Sequence, residues 1–226
     1  MANMLRMTSL CKEALSARKL KQILSAPVFL VILAGGWFFP FLGFFIPLCM
    51  VMGIALAFWR GRKWCDWLCP RGSFYDVVMQ PLSPQKKIPA FLRSMAFRLG
   101  ILAVLMIIMG TNLVVRWPHA GSIGRFFVIM MSVTTALGII LAFILHQRAW
   151  CQICPIGTII NLMNKDAYPL KIDSRLCIAC KACADVCPIQ LKPYTYKEQG
   201  VVAVKEADCL HCNLCIAVCP KKALSR

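Results

Sequence analysis

Negative charge is scarce in this sequence: nine Asp and Glu residues stand against 26 Lys and Arg in 226, and charged residues of both signs make up only 15%. Histidine is scarcer, with only His119, His146 and His211. A membrane b-type haem takes axial ligands inside its spans, most often a histidine pair, and no C-x-x-C-H attachment motif is present, so no haem is expected. There is no nucleophile with a neighbouring base, no Gly-rich phosphate loop and no pair of carboxylates in a polar setting. The C-terminal domain thus offers no site for bond-making chemistry, and no catalytic residue is assigned. The positive excess does not form a nucleic-acid face, because the cations cluster beside apolar spans instead of among aromatics on a polar fold.

Apolar residues are abundant, at 59% of the chain with a mean hydropathy of +0.68. Such values belong to a membrane segment with a small polar domain attached. Residues 27–59 carry no charge. As one helix they would run about 50 Å at 1.5 Å per residue, beyond a hydrocarbon core of about 30 Å. Gly35, Gly36, Pro40, Gly43 and Pro47 near the middle therefore predict a hairpin of two spans. Segments 99–115, between Arg98 and Arg116, and 126–145, between Arg125 and Arg148, predict a second. Ahead of them, residues 1–22 carry Arg6, Lys12, Arg18, Lys19 and Lys21 against Glu13, with Met4, Met7, Leu10, Cys11, Ala14 and Leu15 at helical spacing. This predicts a basic amphipathic helix on the inner leaflet, and no cleavable signal peptide.

The expected architecture is an α-helical membrane protein with a C-terminal α+β domain. It divides into a basic segment over 1–22, four membrane helices in two tandem hairpins over 23–165, and a small, cysteine-rich domain over 166–226. Basic residues crowd the N-terminus, the 60–98 loop and the C-terminal domain, whereas the opposite side has only Arg116 and Arg125. The positive-inside bias then puts both termini in the cytoplasm, as in a multi-pass protein of a bacterial inner membrane. Trp37 and Trp117 at the outer turns and Trp59, Trp64, Trp67 and Trp150 at the inner ends form the matching aromatic belt.

Twelve of the fourteen cysteines fall in metal-ligand spacings. Cys177, Cys180, Cys183 and Cys187 before Pro188, then Cys209, Cys212, Cys215 and Cys219 before Pro220, both read C-x2-C-x2-C-x3-C-P. This is the bacterial two-cluster ferredoxin run, in which three thiolates cap one [4Fe–4S] cube and the fourth reaches the partner cube. Cys177, Cys180, Cys183 and Cys219 are thus expected on one cluster, and Cys209, Cys212, Cys215 and Cys187 on the other. Ile178, Ala179, Ile216, Ala217 and Val218 are expected to shield them. A short hairpin is expected within 192–207. His211, between two ligands, is expected to be an outer hydrogen-bond donor or exposed.

A second repeat follows each membrane hairpin. Arg62-Lys-Trp-Cys65-Asp-Trp-Leu-Cys69-Pro70-Arg-Gly72 is echoed by Arg148-Ala-Trp-Cys151-Gln-Ile-Cys154-Pro155-Ile-Gly157. Two related halves would converge Cys65, Cys69, Cys151 and Cys154 at the inner membrane edge. A third iron–sulfur cluster suits four thiolates best, while a redox-active dithiol, a disulfide or a zinc knuckle also fits the spacing. Cys49, mid-span, reads as packing. His146 reads as an interfacial anchor first and a donor to a quinone carbonyl second.

Four spans, cysteine turns after the second and fourth, and a terminal two-cluster ferredoxin together resemble the membrane polyferredoxins typified by NapH, MauN, the membrane part of NosR, and CcoG. The second turn, Cys-x2-Cys-Pro, is one residue shorter than the family's usual Cys-x3-Cys-Pro. The resemblance implies an electron-transfer subunit, such as a quinol dehydrogenase component, that links the quinone pool or cytoplasmic donors to other redox subunits of a respiratory complex. An assembly factor that reduces a metal or thiol for a partner enzyme is the alternative.

Overall fold

The computed structural model describes residues 9–163, 169–197, 203–204 and 206–226. Helix α1 (Ser9–Phe38) ends where the chain turns at Phe39, and a short 3-10 helix (Pro40–Phe44) leads into α2 (Phe45–Arg60). Gly61 then reverses the chain at φ 56°, ψ −144°, a backbone that a side chain rarely adopts. After it come α3 (Lys63–Trp67) and α4 (Pro70–Phe74), the latter prolonged by a π turn (Tyr75–Met79). Helix α5 (Ala90–Arg93) precedes the second hairpin, α6 (Met95–Arg116) and α7 (Ala120–Ile144); α8 (Ala149–Ile153) and α9 (Pro155–Met163) close this half. Pro70 and Pro155 open α4 and α9, where a fixed φ suits the first turn and the missing N–H costs nothing.

Among the described residues, four stretches are long and apolar enough to cross a membrane: Ser16–Phe38, Pro40–Trp59, Met95–Arg116 and Ala120–Ile144. Their outward faces expose Val31, Val51, Ile107, Val115 and Phe143, as lipid-facing helices do. Phe29, Phe74, Tyr75, Met131, Trp150 and Ile153 pack into a core at the cysteine-bearing end of the bundle. The N-terminal segment differs from expectation. Of the predicted 1–22 helix, residues 1–8 lie outside the described part, and the remainder runs without a break into the first span. Arg18 and Gln22 are buried against α3 and the π turn instead of lying on a lipid surface, because Asp66 and Asp76 await them there.

The C-terminal domain is a three-stranded antiparallel sheet in the order β2-β1-β3, formed by β1 (Leu170–Ile172), β2 (Ala203–Val204) and β3 (Leu224–Ser225). Leu170 faces Val204 and Ile172 faces Leu224, so the buried face of β1 meets apolar partners on both sides. Two short helices, α10 (Ala182–Asp185) and α11 (Leu214–Val218), carry the cysteine loops. The hairpin expected within 192–207 falls partly on residues outside the described part. There, Pro193–Lys197 is a 3-10 helix and β2 pairs with β1.

Candidate metal centres

Each C-terminal cysteine motif builds the same loop. Ala179 and Lys181 flank Cys180 with φ of 54° and 64°, and His211 and Asn213 flank Cys212 with φ of 55° and 64°. Such left-handed residues curl the chain so that successive amides face inward, the geometry that favours an anionic centre. Gln190 and Lys222, three residues beyond Cys187 and Cys219, also have positive φ. One residue later the amides of Leu191 and Ala223 donate to the Cys187 and Cys219 sulfurs, at 3.3 Å in both cases. Amide-to-sulfur bonds of this kind tune a cluster's potential.

One cavity is lined by Cys177, Cys180, Cys183 and Cys219, and another by Cys187, Cys209, Cys212 and Cys215. The motifs thus exchange their fourth cysteines across the domain. Ile216, Ala217 and Val218 are half-buried, whereas Ile178 and Ala179 stand exposed beside Cys180, the one exposed cysteine among those described. Ile178 lines the first cavity while its other side faces solvent, and Ala179 does not line it. His211 is buried with its Nε2 against Gly61, where a Cβ would come within 2.9 Å.

At the membrane edge, α3 and α8 bring the other four cysteines together, and two arginines cross between the halves. Arg148, just before Cys151, donates to the Cys65 carbonyl at 3.0 Å and lies 3.7 Å from the Cys151 sulfur. Arg62, just before Cys65, donates reciprocally to the Cys151 carbonyl at 3.0 Å. Each guanidinium rests on the other half's glycine: a Cβ on Gly72 would lie 3.1 Å from Arg148 Nη1, and one on Gly157 would lie 2.7 Å from Arg62 Nη2. Behind the crossing lie two buried polar groups. Asp76 accepts from Arg148, Arg18 and Gln22, and Asp66 from Arg18 and Arg148. On the opposite side, Asp208 accepts from Arg62, Arg98 and Asn161, and Gln152 from Arg98.

These residues fit a four-thiolate cluster. Burial pushes the Cys65 and Cys69 thiols up to about 12, with neighbouring thiols adding to it and Arg62 opposing at Cys65. The Gly72 amide bonds the Cys69 thiol, and the Arg62 Nε–H is buried without a partner beside the cysteines. Among the described residues no three His, Cys, Asp or Glu side chains are grouped as a single metal ion would require.

Cys69 and Cys154 also wall an apolar cavity of about 130 Å³ among the spans, which reaches Cys49, Met130 and Trp150. Cys49 thus lines a space as well as packing in a helix, a placement that needs the third dimension to see. His146 does not reach this cavity. Its Nδ1 accepts from the Arg148 amide at 3.1 Å. Sequence reading passed over Asp76 and Asn161, although both stand seven residues after the second cysteine of their repeat.

Comparison with known proteins gives the same division. A family described as a 4Fe-4S dicluster domain matches residues 176–223, and one described as a 4Fe-4S binding domain matches twice, over 42–89 and 128–173. An uncharacterized protein of Methanocaldococcus jannaschii is 28% identical over 180 residues, covering 77% of this chain and 68% of its own. The ferredoxin-type protein NapH of Escherichia coli is 26% identical, covering 75% of this chain and 63% of its own length. NapH of Haemophilus influenzae is 26% identical, with 71% and 60% covered. The chain therefore spans less than two thirds of either NapH. No solved structure matches. Two tandem 4Fe-4S binding domains on apolar hairpins, joined to a dicluster domain and related to NapH, make this chain a NapH-like polyferredoxin.

Proposed function

We propose that this chain is a multi-pass protein of the bacterial inner membrane that carries electrons between its cytoplasmic ferredoxin domain and a quinone or partner redox subunit. Clusters bound at the three cysteine quartets supply one-electron carriers. The observation that carries the reading is the continuity of the groups around them. Cys65 of the membrane half packs on the same apolar group, Ile189, Leu191 and Leu210, as Cys187 and Cys209 of the ferredoxin. Cys69 and Cys154 of that membrane-edge set wall the cavity among the spans. That cavity suits a quinone ring: its lining is almost wholly apolar, and the polar groups beside it include Arg71, 4.8 Å over the Trp150 ring, the unpartnered Trp150 Nε1–H and the Thr134 hydroxyl, which accepts from Arg71. At the far end the exposed Cys180 loop, with Arg175, Lys181, Lys221 and Lys222 exposed in the same domain, faces soluble or subunit partners.

Iron and acid-labile sulfide per chain, with electron paramagnetic resonance of the reduced protein, test this in wild type and in Cys65→Ala/Cys154→Ala. About twelve irons falling to about eight is expected, four per cube. Eight in both proteins would sink the membrane-edge cluster. Failure of a quinone analogue to reoxidise twelve-iron protein would remove quinone from the reading and leave a partner's metal or thiol as acceptor.

A further inference from the structure

The two membrane halves place equivalent residues in equivalent roles, except that two acids of the first half are amides in the second. In the first half, Arg18 of the leading helix and the crossing Arg148 converge on two carboxylates, Asp66 and Asp76. Asp66 directly follows Cys65, and Asp76 stands seven residues after Cys69. The corresponding residues of the second half are Gln152, directly after Cys151, and Asn161, seven after Cys154. The leading helix again contributes an arginine, Arg98, and Arg62 is again the crossing one. Two guanidiniums, nearly inaccessible to solvent, thus face two amides where the first half has two acids. Neutral amides cannot balance buried cations, so a socket of this kind calls for an anion.

Asp208 fills it. Its Oδ1 accepts from Arg62 at 2.8 Å, Arg98 at 2.7 Å and Asn161 Nδ2 at 2.9 Å, and its Oδ2 from Arg98 at 2.8 Å. Asp76 Oδ2 is held by the same kinds of donor: the crossing arginine, the leading-helix arginine and one side-chain amide, Gln22. Asp208 belongs to the ferredoxin domain and immediately precedes Cys209. Further bonds across this seam end on neutral groups, among them Gln190 with the Ile88 amide and the Lys86 carbonyl, and Arg93 on the Ile189 carbonyl.

We infer that the amides Gln152 and Asn161 leave the second half a cationic socket, and that Asp208 occupies it as the electrostatic plug docking the ferredoxin domain on the membrane domain. The plug sets the position of the Cys209 loop relative to Cys65 and Cys151, because Arg62 holds Asp208 and the Cys151 carbonyl with one guanidinium. The docking stands whether or not the membrane-edge cysteines carry a cluster.

A charge exchange tests it on the full-length, cluster-loaded protein in detergent, with hydrogen exchange as the readout. Asp208→Asn empties the socket, and exchange at the seam amides around Ile88 and Ile189 is expected to rise at least about tenfold. The sheet over 170–172 and 223–225 and the iron content report on the domain's own folding. Asn161→Asp/Asp208→Asn supplies the socket's anion from the membrane side and leaves the ferredoxin domain without one. The seam is then expected to exchange as fast as in Asp208→Asn, while the spans regain the thermal stability the single variant lost. Unchanged seam exchange in Asp208→Asn, or a double variant whose seam exchange returns to the wild-type rate, overturns the inference.

Discussion

At the scale of single residues, the membrane-edge site depends on side chains that do two jobs. Arg148 and Arg62 each reach a carbonyl of the opposite half and a carboxylate behind it, which a planar guanidinium does and a lysine ammonium does not. His146 braces this arrangement as a neutral acceptor for the Arg148 amide. Burial pushes its pKa down to about 4; Asp76 opposes this, and Arg148 and Arg93 add to it. An unfolded chain protonates such a histidine below about 6.5. The fold's advantage from keeping it neutral is therefore complete above that pH and disappears as pH falls toward 4. Thermal unfolding of the solubilised protein should weaken between pH 7 and 5, with this one group contributing up to about 1.4 kcal/mol per pH unit. His146→Gln, which retains an acceptor but cannot protonate, should flatten that part of the profile; an unchanged slope would discount the role.

Between elements, the space that matters is the cavity among the spans, walled by residues of α2, α6, α7 and α9. Replacing Met130 with Trp fills it. Oxidation of reduced clusters by a quinone analogue should slow at least about tenfold while iron content holds, because the ligand's volume is removed and no cysteine is touched; a rate equal to wild type would place the quinone elsewhere. The elements themselves were largely legible in the sequence, because hairpins follow from uncharged runs broken by Gly and Pro, and the cysteine loops from spacings with few alternatives. What was hidden depends on distant partners. Residues 9–22 read as a surface helix because Arg18 meets its carboxylate across 48 positions, beyond any local periodicity. That Ile178 lines its cavity and Ala179 does not depends on how the loop sits against the cysteines, which spacing does not carry. Asp76 and Asn161 were within reach of the repeat, had the comparison of the two halves continued seven residues past each second cysteine.

For the molecule as a whole, the matching of buried charge follows the order of the chain. Arg18 waits for Asp66 and Asp76, Arg148 then joins them, and Arg62 and Arg98 face neutral amides until Asp208 arrives. During synthesis from the N-terminus, the membrane half is electrostatically unfinished until Asp208, in the domain that follows it, has been made. A chain cut after residue 165 should consequently be cleared by membrane proteolysis faster than the full-length protein in a pulse-chase experiment. Asn161→Asp in that truncated chain should lengthen its lifetime by at least about twofold, since a 1–2 kcal/mol gain in stability changes abundance several-fold, and equal decay of the two truncations would argue against it. An aspartate of the second domain in this way ties the survival of the spans inserted first to the presence of the redox domain that follows them.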